Sequence, residues 1–246
     1  MKSSILQLVL IIFPSVLFAQ ISENYEIEYQ VRFNDAFDRG RKDRLHRGFL
    51  FIHGNLSRFY MIADEKYAAA NEYDHGFEPD TNSQVYTDQS KGIMVAKEFG
   101  FDGNPFYLKD SLYPMHWLIS DETRFIDALL CTKATCSFRG RKYEAWFCSE
   151  IALPVGPWKL GGLPGLIVDM KDDQENMVMR FKTIIKKDIQ FQYPANVNYT
   201  MAEHIEKLKN LRKRLQGNAR TAGSGDCISC QTQSQYEFYT WEIIPE

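Results

Sequence analysis

Five cysteines carry the strongest chemical lead in this 246-residue chain: Cys131, Cys136, Cys148, Cys227 and Cys230. With an odd count, at most two disulfides form within one molecule, and at least one thiol is left over or pairs elsewhere. Cys227-Ile228-Ser229-Cys230 has the spacing of a redox dithiol, half of a soft-metal site or a small-loop disulfide. A redox pair ordinarily sits at a helix N-terminus, which lowers one thiol pKa. This pair lies instead in a Gly/Ser/Thr/Asn-rich stretch, so a thioredoxin-like role does not suit its surroundings. A copper or zinc site at Cys227 and Cys230 would need further ligands from Cys131, Cys136, Met115, His116 or His204. No spacing ties these residues together, and a structural or incidental cysteine pair is the simpler reading.

Cys131, Cys136 and Cys148 fall in a strong hairpin pattern, Ala128 to Phe138 and Tyr143 to Ile151, around Arg139-Gly140-Arg141-Lys142. A turn symmetric about Gly140-Arg141 makes Cys131 and Cys148 diagonal neighbours on one face, with Cys136 facing away. Diagonal cross-strand neighbours are roughly 7–8 Å apart, beyond comfortable disulfide reach. A bulge would change that register, so the pairing stays open and each of the three is a candidate disulfide or thiol.

Hydrolytic chemistry finds little support. The chain has no Gly-x-Ser-x-Gly elbow, no His-Glu-x-x-His and no Ser-x-x-Lys arrangement. Its five histidines, His46, His53, His75, His116 and His204, are widely separated. Asp121-Glu122 reads as turn or capping duty rather than an acid pair. Trp117, Trp146, Trp158 and Trp241 could line a cavity, yet tryptophans in strand patterns are usually core. No catalytic residue and no cofactor is expected beyond the copper or zinc alternative, and the chain leans towards a non-enzymatic role.

The elements that must position these residues are mostly strands. Tyr25 to Phe33 alternates apolar and polar side chains, as a strand with one wet face does. Gly48–His53 and Ser57–Ile62 flank a hairpin turn at Gly54-Asn55. The polar stretch from Asp64 to Ser90 reads as a long loop or irregular insert. Strand patterns resume at Gly92–Phe101, Met115–Ile119, Leu166–Met170, Met177–Ile185 and Tyr236–Ile244. One helix is expected over 200–217: Thr200 and Glu203 make a capping box, and Ile205, Leu208, Leu211 and Leu215 form an apolar stripe ending at Gly217. Its Lys207, Lys209, Arg212, Lys213 and Arg214 read as a solvated face complementing the helix dipole.

Gly162-Leu163-Pro164-Gly165-Leu166-Ile167 reads as a tight turn feeding a buried strand, with Gly165 suited to the third position of a type II turn. No Lys-Ser/Thr pair follows and no helix opens there, so a phosphate-cradling loop fails its context test. Around this motif the chain resembles the GLPGLI family of exported bacterial proteins. The matching pieces are Trp117-Leu118-Ile119, Cys131-Thr132-Lys133-Ala134, Phe138-Arg139-Gly140-Arg141, Ala145-Trp146-Phe147, Glu150-Ile151 and Gly156-Pro157. Weaker agreement lies at Ser57-Arg58-Phe59-Tyr60 and at Ile244-Pro245-Glu246. Ala128 and Leu129 stand where the family tends to have Gly-Tyr, and Cys148 stands where Thr is more usual. The resemblance implies a location and a fold more than a reaction, and the turn and strand chemistry of the six motif residues reads as structural.

Met1-Lys2, an apolar run from Ile5 to Phe18 broken by Pro14, and a small residue at Ala19 have the layout of a secretory signal peptide. Cleavage of residues 1–19 leaves 227 of 246, a single domain over 20–246 with one substantial core. Losing Lys2 takes the formal charge from -3 to -4, so no basic excess points to nucleic acid. No later segment reaches the roughly 18 uninterrupted apolar residues of a membrane helix. The expected protein is exported, periplasmic or extracellular. It is mainly β: an antiparallel curved sheet or half-barrel with one prominent helix near its C-terminal region. The favoured function is a non-enzymatic envelope protein that binds an apolar ligand or another envelope protein through its concave face. The alternative is soft-metal binding or thiol exchange through Cys227 and Cys230.

Overall fold

A computed structural model describes residues 24–33, 45–63, 83–99, 104–112 and 115–221. The expected leader, Cys227, Cys230 and the strand expected at Tyr236–Ile244 lie outside the described residues. Two antiparallel meanders build the molecule. The first comprises β1 (Asn24–Phe33), β2 (Leu45–His53), β3 (Leu56–Ala63), β4 (Gln84–Asp88), β5 (Ile93–Phe99) and β6 (Pro105–Ser111). The second comprises β7 (Leu118–Ile126), β8 (Leu129–Phe138), β9 (Arg141–Cys148), β10 (Leu166–Asp172) and β11 (Met177–Lys186). They fuse where β1 pairs with β11, and the two-residue β12 (Tyr199–Thr200) adds in parallel to β6. The result is one open sheet of twelve strands in the order β12-β6-β5-β4-β3-β2-β1-β11-β10-β9-β8-β7, mainly β as expected.

Turn chemistry sets the registers. Gly54 takes φ +57 at the first position of the two-residue β2–β3 turn, where a side chain would be strained. In the β8–β9 hairpin Arg139 and Gly140 both have positive φ (49° and 76°), and Phe138 pairs with Arg141. The turn is therefore centred on Arg139-Gly140, one residue earlier than the symmetric reading, and this realigns every cross-strand partner.

The concave face is the core. Ile27, Tyr29 and Val31 on β1, Leu50 and Ile52 on β2, Phe59 on β3 and Ala134 on β8 are all nearly inaccessible. The sheet curls around the segment 149–165, whose Leu153, Val155, Trp158, Leu160 and Leu163 complete this core. Arg139, at the β8–β9 turn, forms an ion pair with Asp110 on β6 and so joins the two halves of the curved sheet.

The convex face over β1–β6 is crossed by the segment 187–198. Lys187 forms an ion pair with Glu26 on β1, and Phe191 and Tyr193 lie 6.4 and 6.1 Å from the Tyr86 ring on β4. Asn198 exchanges hydrogen bonds with the Tyr107 backbone on β6 (3.0 and 2.7 Å). Strand β4 is thus buried on both faces. This is why Gln84-Val85-Tyr86-Thr87-Asp88, polar in sequence and read as loop, forms a strand: its polar side chains pair beneath the cover, as Tyr86 does with Gln84 (2.6 Å). Strand β6 is likewise an element that the sequence reading missed.

The helix α1 (Met201–Thr221) starts where the capping box requires. Glu203 N–H donates to Thr200 Oγ1 (3.2 Å), and Glu203 Oε2 accepts from Thr200 N–H (2.7 Å), which holds the Glu203 carboxyl below its usual range. The helix packs mainly on β6 and β12 at one end of the sheet rather than within its concavity. His204 lies 5.3 Å from the Phe106 ring, and Lys207 sits 3.4 Å above Tyr199. No described helix is long and apolar enough to cross a membrane.

Candidate functional site

The motif Gly162–Ile167 closes the segment that fills the core. Gly162 has φ +84 and donates to Pro154 O (3.0 Å). Gly165 N–H donates to Leu163 O (2.8 Å), a three-residue turn about Pro164 whose fixed φ suits it. Gly165 is not among the glycines with positive φ, so the expected type II geometry gives way to a different requirement. A Cβ there would lie 2.6 Å from the Cys148 carbonyl carbon, 2.9 Å from Ser149 Cα and closer still to the Cys148 oxygen. The motif strand crosses the end of β9 at backbone contact, and only glycine allows it.

Beyond the turn, Ile167 sends both backbone groups out of the ladder. Its N–H donates to Val155 O (3.1 Å), and its carbonyl accepts from Tyr29 OH (2.8 Å) deep in the core. A bulge between Ile167 and Asp169 accompanies this diversion. Burial drives the Tyr29 phenol far above its usual pKa, and the hydroxyl acts as a permanent donor rather than an acid. Tyr29→Phe is expected to lose about 1–3 kcal/mol of stability in urea unfolding, because the Ile167 carbonyl is left without that donor. Trp117 Nε1–H adds a bond to Gly161 O (2.8 Å) from the chain leading into β7. All six motif residues are thus structural in geometry, with no acid, nucleophile or ligand among them.

The three described cysteines are buried thiols with distinct neighbours. Cys136 faces Tyr143, and burial pushes its thiol up to about 12. Cys131 and Cys148 lie on the other face of the hairpin, the side carrying Trp146 and Lys133. His204 is on α1 and lies against Phe106 on β6, while Met115 packs at the margin of the core cluster that includes the three cysteines. Among the described residues no group of three or more His, Cys, Asp and Glu side chains is arranged to hold a metal ion. Trp146 and Trp158 are core residues, 7% and 6% exposed. Asp121 and Glu122 lie within β7, at a register irregularity between Ile119 and Thr123, rather than at a helix cap.

At the far end of the sheet, the sequence reading places a strand at Met115–Ile119 but misses that β7 runs on to Ile126 and is exposed. Among the described residues β7 pairs with β8 alone, and no described strand lies on its other edge. Leu118 is 75% exposed, Ile119 52%, Phe125 71% and Leu130 on β8 43%. Phe125 faces Leu130 directly, and Ile119 faces Ala134, a core-facing position. Leu130 shares that orientation because it lies an even number of residues from Ala134. Much of this apolar surface therefore continues the concave face beyond the segment that fills it. Leu118 to Ile126 has no clean alternation, so nothing in the sequence marked it as an exposed strand.

The same ribbon anchors its outer face by charge and stacking. Arg124 bonds Asp169 on β10 (2.6 Å) and lies 4.0 Å above the Trp146 ring. Burial lifts the Asp169 carboxyl above its ordinary value, with Arg124 pulling the other way. Similar cation–aromatic contacts run along β2 and β3, with Arg47 over Phe49 (4.9 Å) and Arg58 over Tyr60 (4.9 Å).

Fold and site together define, over the described residues, an open, mainly antiparallel β protein with a filled concavity and an apolar edge at β7. No protein-family model and no curated protein matches the chain. Two solved structures are similar in fold: PNGF-II in a P21 crystal form (16% identity, TM-score 0.52) and in a C2 form (18%, 0.51). Each similarity covers 77% of this chain but only 34% and 33% of the PNGF-II chain, so this chain spans about a third of that protein's length. At such identity the likeness concerns the fold alone.

Proposed function

We propose that this chain is a non-enzymatic, exported envelope protein that binds another protein through the β7–β8 end of its sheet. The observation that carries this reading is that no described strand covers the outer edge of β7, where Leu118, Ile119 and Phe125, with Leu130 on β8, are exposed. An edge with no described partner and large apolar side chains at both ends invites addition of a partner's strand there, with the charged Asp121-Glu122 stretch between them. An apolar ligand within the concavity is less well supported, because Leu153, Val155, Trp158, Leu160 and Leu163 occupy that space. Soft-metal handling draws no support from the described residues, among which no three His, Cys, Asp or Glu side chains are grouped as ligands. We also read the chain as a GLPGLI family member, on the motif residues whose steric roles are set out above.

The test is Phe125→Asp combined with Leu130→Asp, both at exposed positions where the fold tolerates charge. A photo-crosslinker placed at Leu118 should trap one discrete envelope protein in cells expressing the native sequence. The double variant should lower that product by at least about tenfold, as loss of an aromatic anchor does, with an unchanged circular dichroism spectrum. Equal crosslinking in both would refute binding at this edge.

A further inference from the structure

We infer that Cys131 and Cys148 form a cross-strand disulfide in the oxidised protein, leaving Cys136 as a buried thiol. The β8–β9 ladder runs from Phe138 opposite Arg141 to Thr132 opposite Phe147. One further step sets Cys131 directly opposite Cys148, not diagonal to it. The Cys148 carbonyl accepts from Ile151 N–H (3.3 Å) and approaches Gly165, so its backbone groups point to the β10 side, away from β8. That makes the Cys131–Cys148 position a non-hydrogen-bonded pair, where facing Cα atoms lie about 4.5 Å apart. Disulfides bridge Cα separations of about 4.4–6.8 Å. Both cysteines are fully buried, and facing residues project to the same side of the sheet. Cys136 is five residues along β8 and on the opposite face, about 17 Å away at strand rise, so it cannot compete.

Both sulfurs are buried in the folded sheet, so an oxidant reaches them while the strands are still open. Burial, with a further contribution from the Cys148 thiol, pushes the folded Cys131 thiol up to about 11, and a protonated thiol does not attack. The oxidant is a disulfide of the glutathione or thiol-oxidoreductase class. One cysteine thiolate attacks a sulfur of that disulfide, forming a mixed disulfide and releasing one thiol. The second thiolate attacks the mixed disulfide, closing Cys131–Cys148 and releasing the other thiol. Two electrons and two protons pass to the oxidant, whose S–S bond becomes two S–H groups.

The experiment refolds the full chain in a reduced/oxidised glutathione buffer, alkylates free thiols under denaturing conditions and maps the peptides by mass spectrometry. The expected result is a reducible Cys131–Cys148 peptide pair with Cys136 alkylated. Alkylation of both Cys131 and Cys148, or linkage of either chiefly to another cysteine, would overturn the inference. A stability readout is independent of the mapping. In a Cys227→Ser/Cys230→Ser background, dithiothreitol should lower Tm by about 6–12 °C, the effect expected of a bridge closing positions 131 to 148. Adding Cys131→Ala and Cys148→Ala should abolish that sensitivity, whereas Cys136→Ala should retain it. No dithiothreitol effect in the background chain, or one that persists in the Cys131/Cys148 variant, counts against the bridge. Because refolding is done in vitro, failure here is distinguishable from failure of the export or edge-binding readings.

Discussion

Gly165→Ala is expected to destabilise the protein by about 4 kcal/mol or more, at the upper end of what one methyl group does. The added carbon meets backbone, namely the carbonyl of Cys148 and the Cα of Ser149, and neither can turn aside as a side chain would. Relief requires β9 and β10 to part at the point where Leu166 pairs with Cys148. Two neighbouring glycines supply internal controls. At Gly156 a Cβ would lie 2.8 Å from Ile167 Cδ1 and 2.9 Å from its Cβ, so Gly156→Ala should cost about 1–3 kcal/mol. At Gly162 there is open space but φ is +84, and Gly162→Ala should cost about 1 kcal/mol of backbone strain. Urea midpoints in the order Gly162→Ala, Gly156→Ala, Gly165→Ala, from most to least stable, are the expected outcome. A Gly165→Ala protein as stable as the Gly162→Ala protein would refute the close-approach account.

Asp172→Ala is the second large loss, about 3–5 kcal/mol. Asp172 is 1% exposed at the end of β10, and its carboxylate has three donors. Arg141 Nη1 lies at 3.1 Å, Met177 N–H at 3.0 Å and Asn176 Nδ2 at 3.2 Å. The pair joins the start of β9 to the β10–β11 turn, where Glu175 sits at φ +53. Truncation removes the Asp172 charge from beside the largely buried Arg141 and leaves the Met177 N–H without this acceptor. Asp172→Asn keeps an acceptor for Met177 but not the charge, so its urea midpoint should fall between wild type and alanine. Equal midpoints for all three proteins would show that the carboxylate organises nothing.

How much of this was legible beforehand depended on whether the deciding partner was local. The alternation of Tyr25 to Phe33 announced β1, because one face is wet and the other packed. Thr200 and Glu203 announced the helix start, because the capping box is closed within four residues. Gln84 to Asp88 announced nothing, since a strand covered on both faces needs no alternation and its cover comes from residues about a hundred positions later. The direct Cys131–Cys148 alignment depends on the positive φ at Arg139, whose side chain pairs with Asp110 on the distant β6, a contact no local pattern shows. Their face-to-face position follows from that one-residue shift of the turn centre.

The motif divides in the same way. That Gly162 and Pro164 turn the chain, and that Leu166-Ile167-Val168 enters a core, was readable from φ preferences and side-chain apolarity, which are properties of single residues. That Gly165 must lack a Cβ, that Ile167 holds Tyr29 across the core, and that the curved sheet is filled by its own segment depend on atoms far apart in the chain. The exposed edge of β7 belongs to this second group. It is an edge only because β11 joins β1 and carries the second meander outward, a long-range pairing that no local pattern specifies.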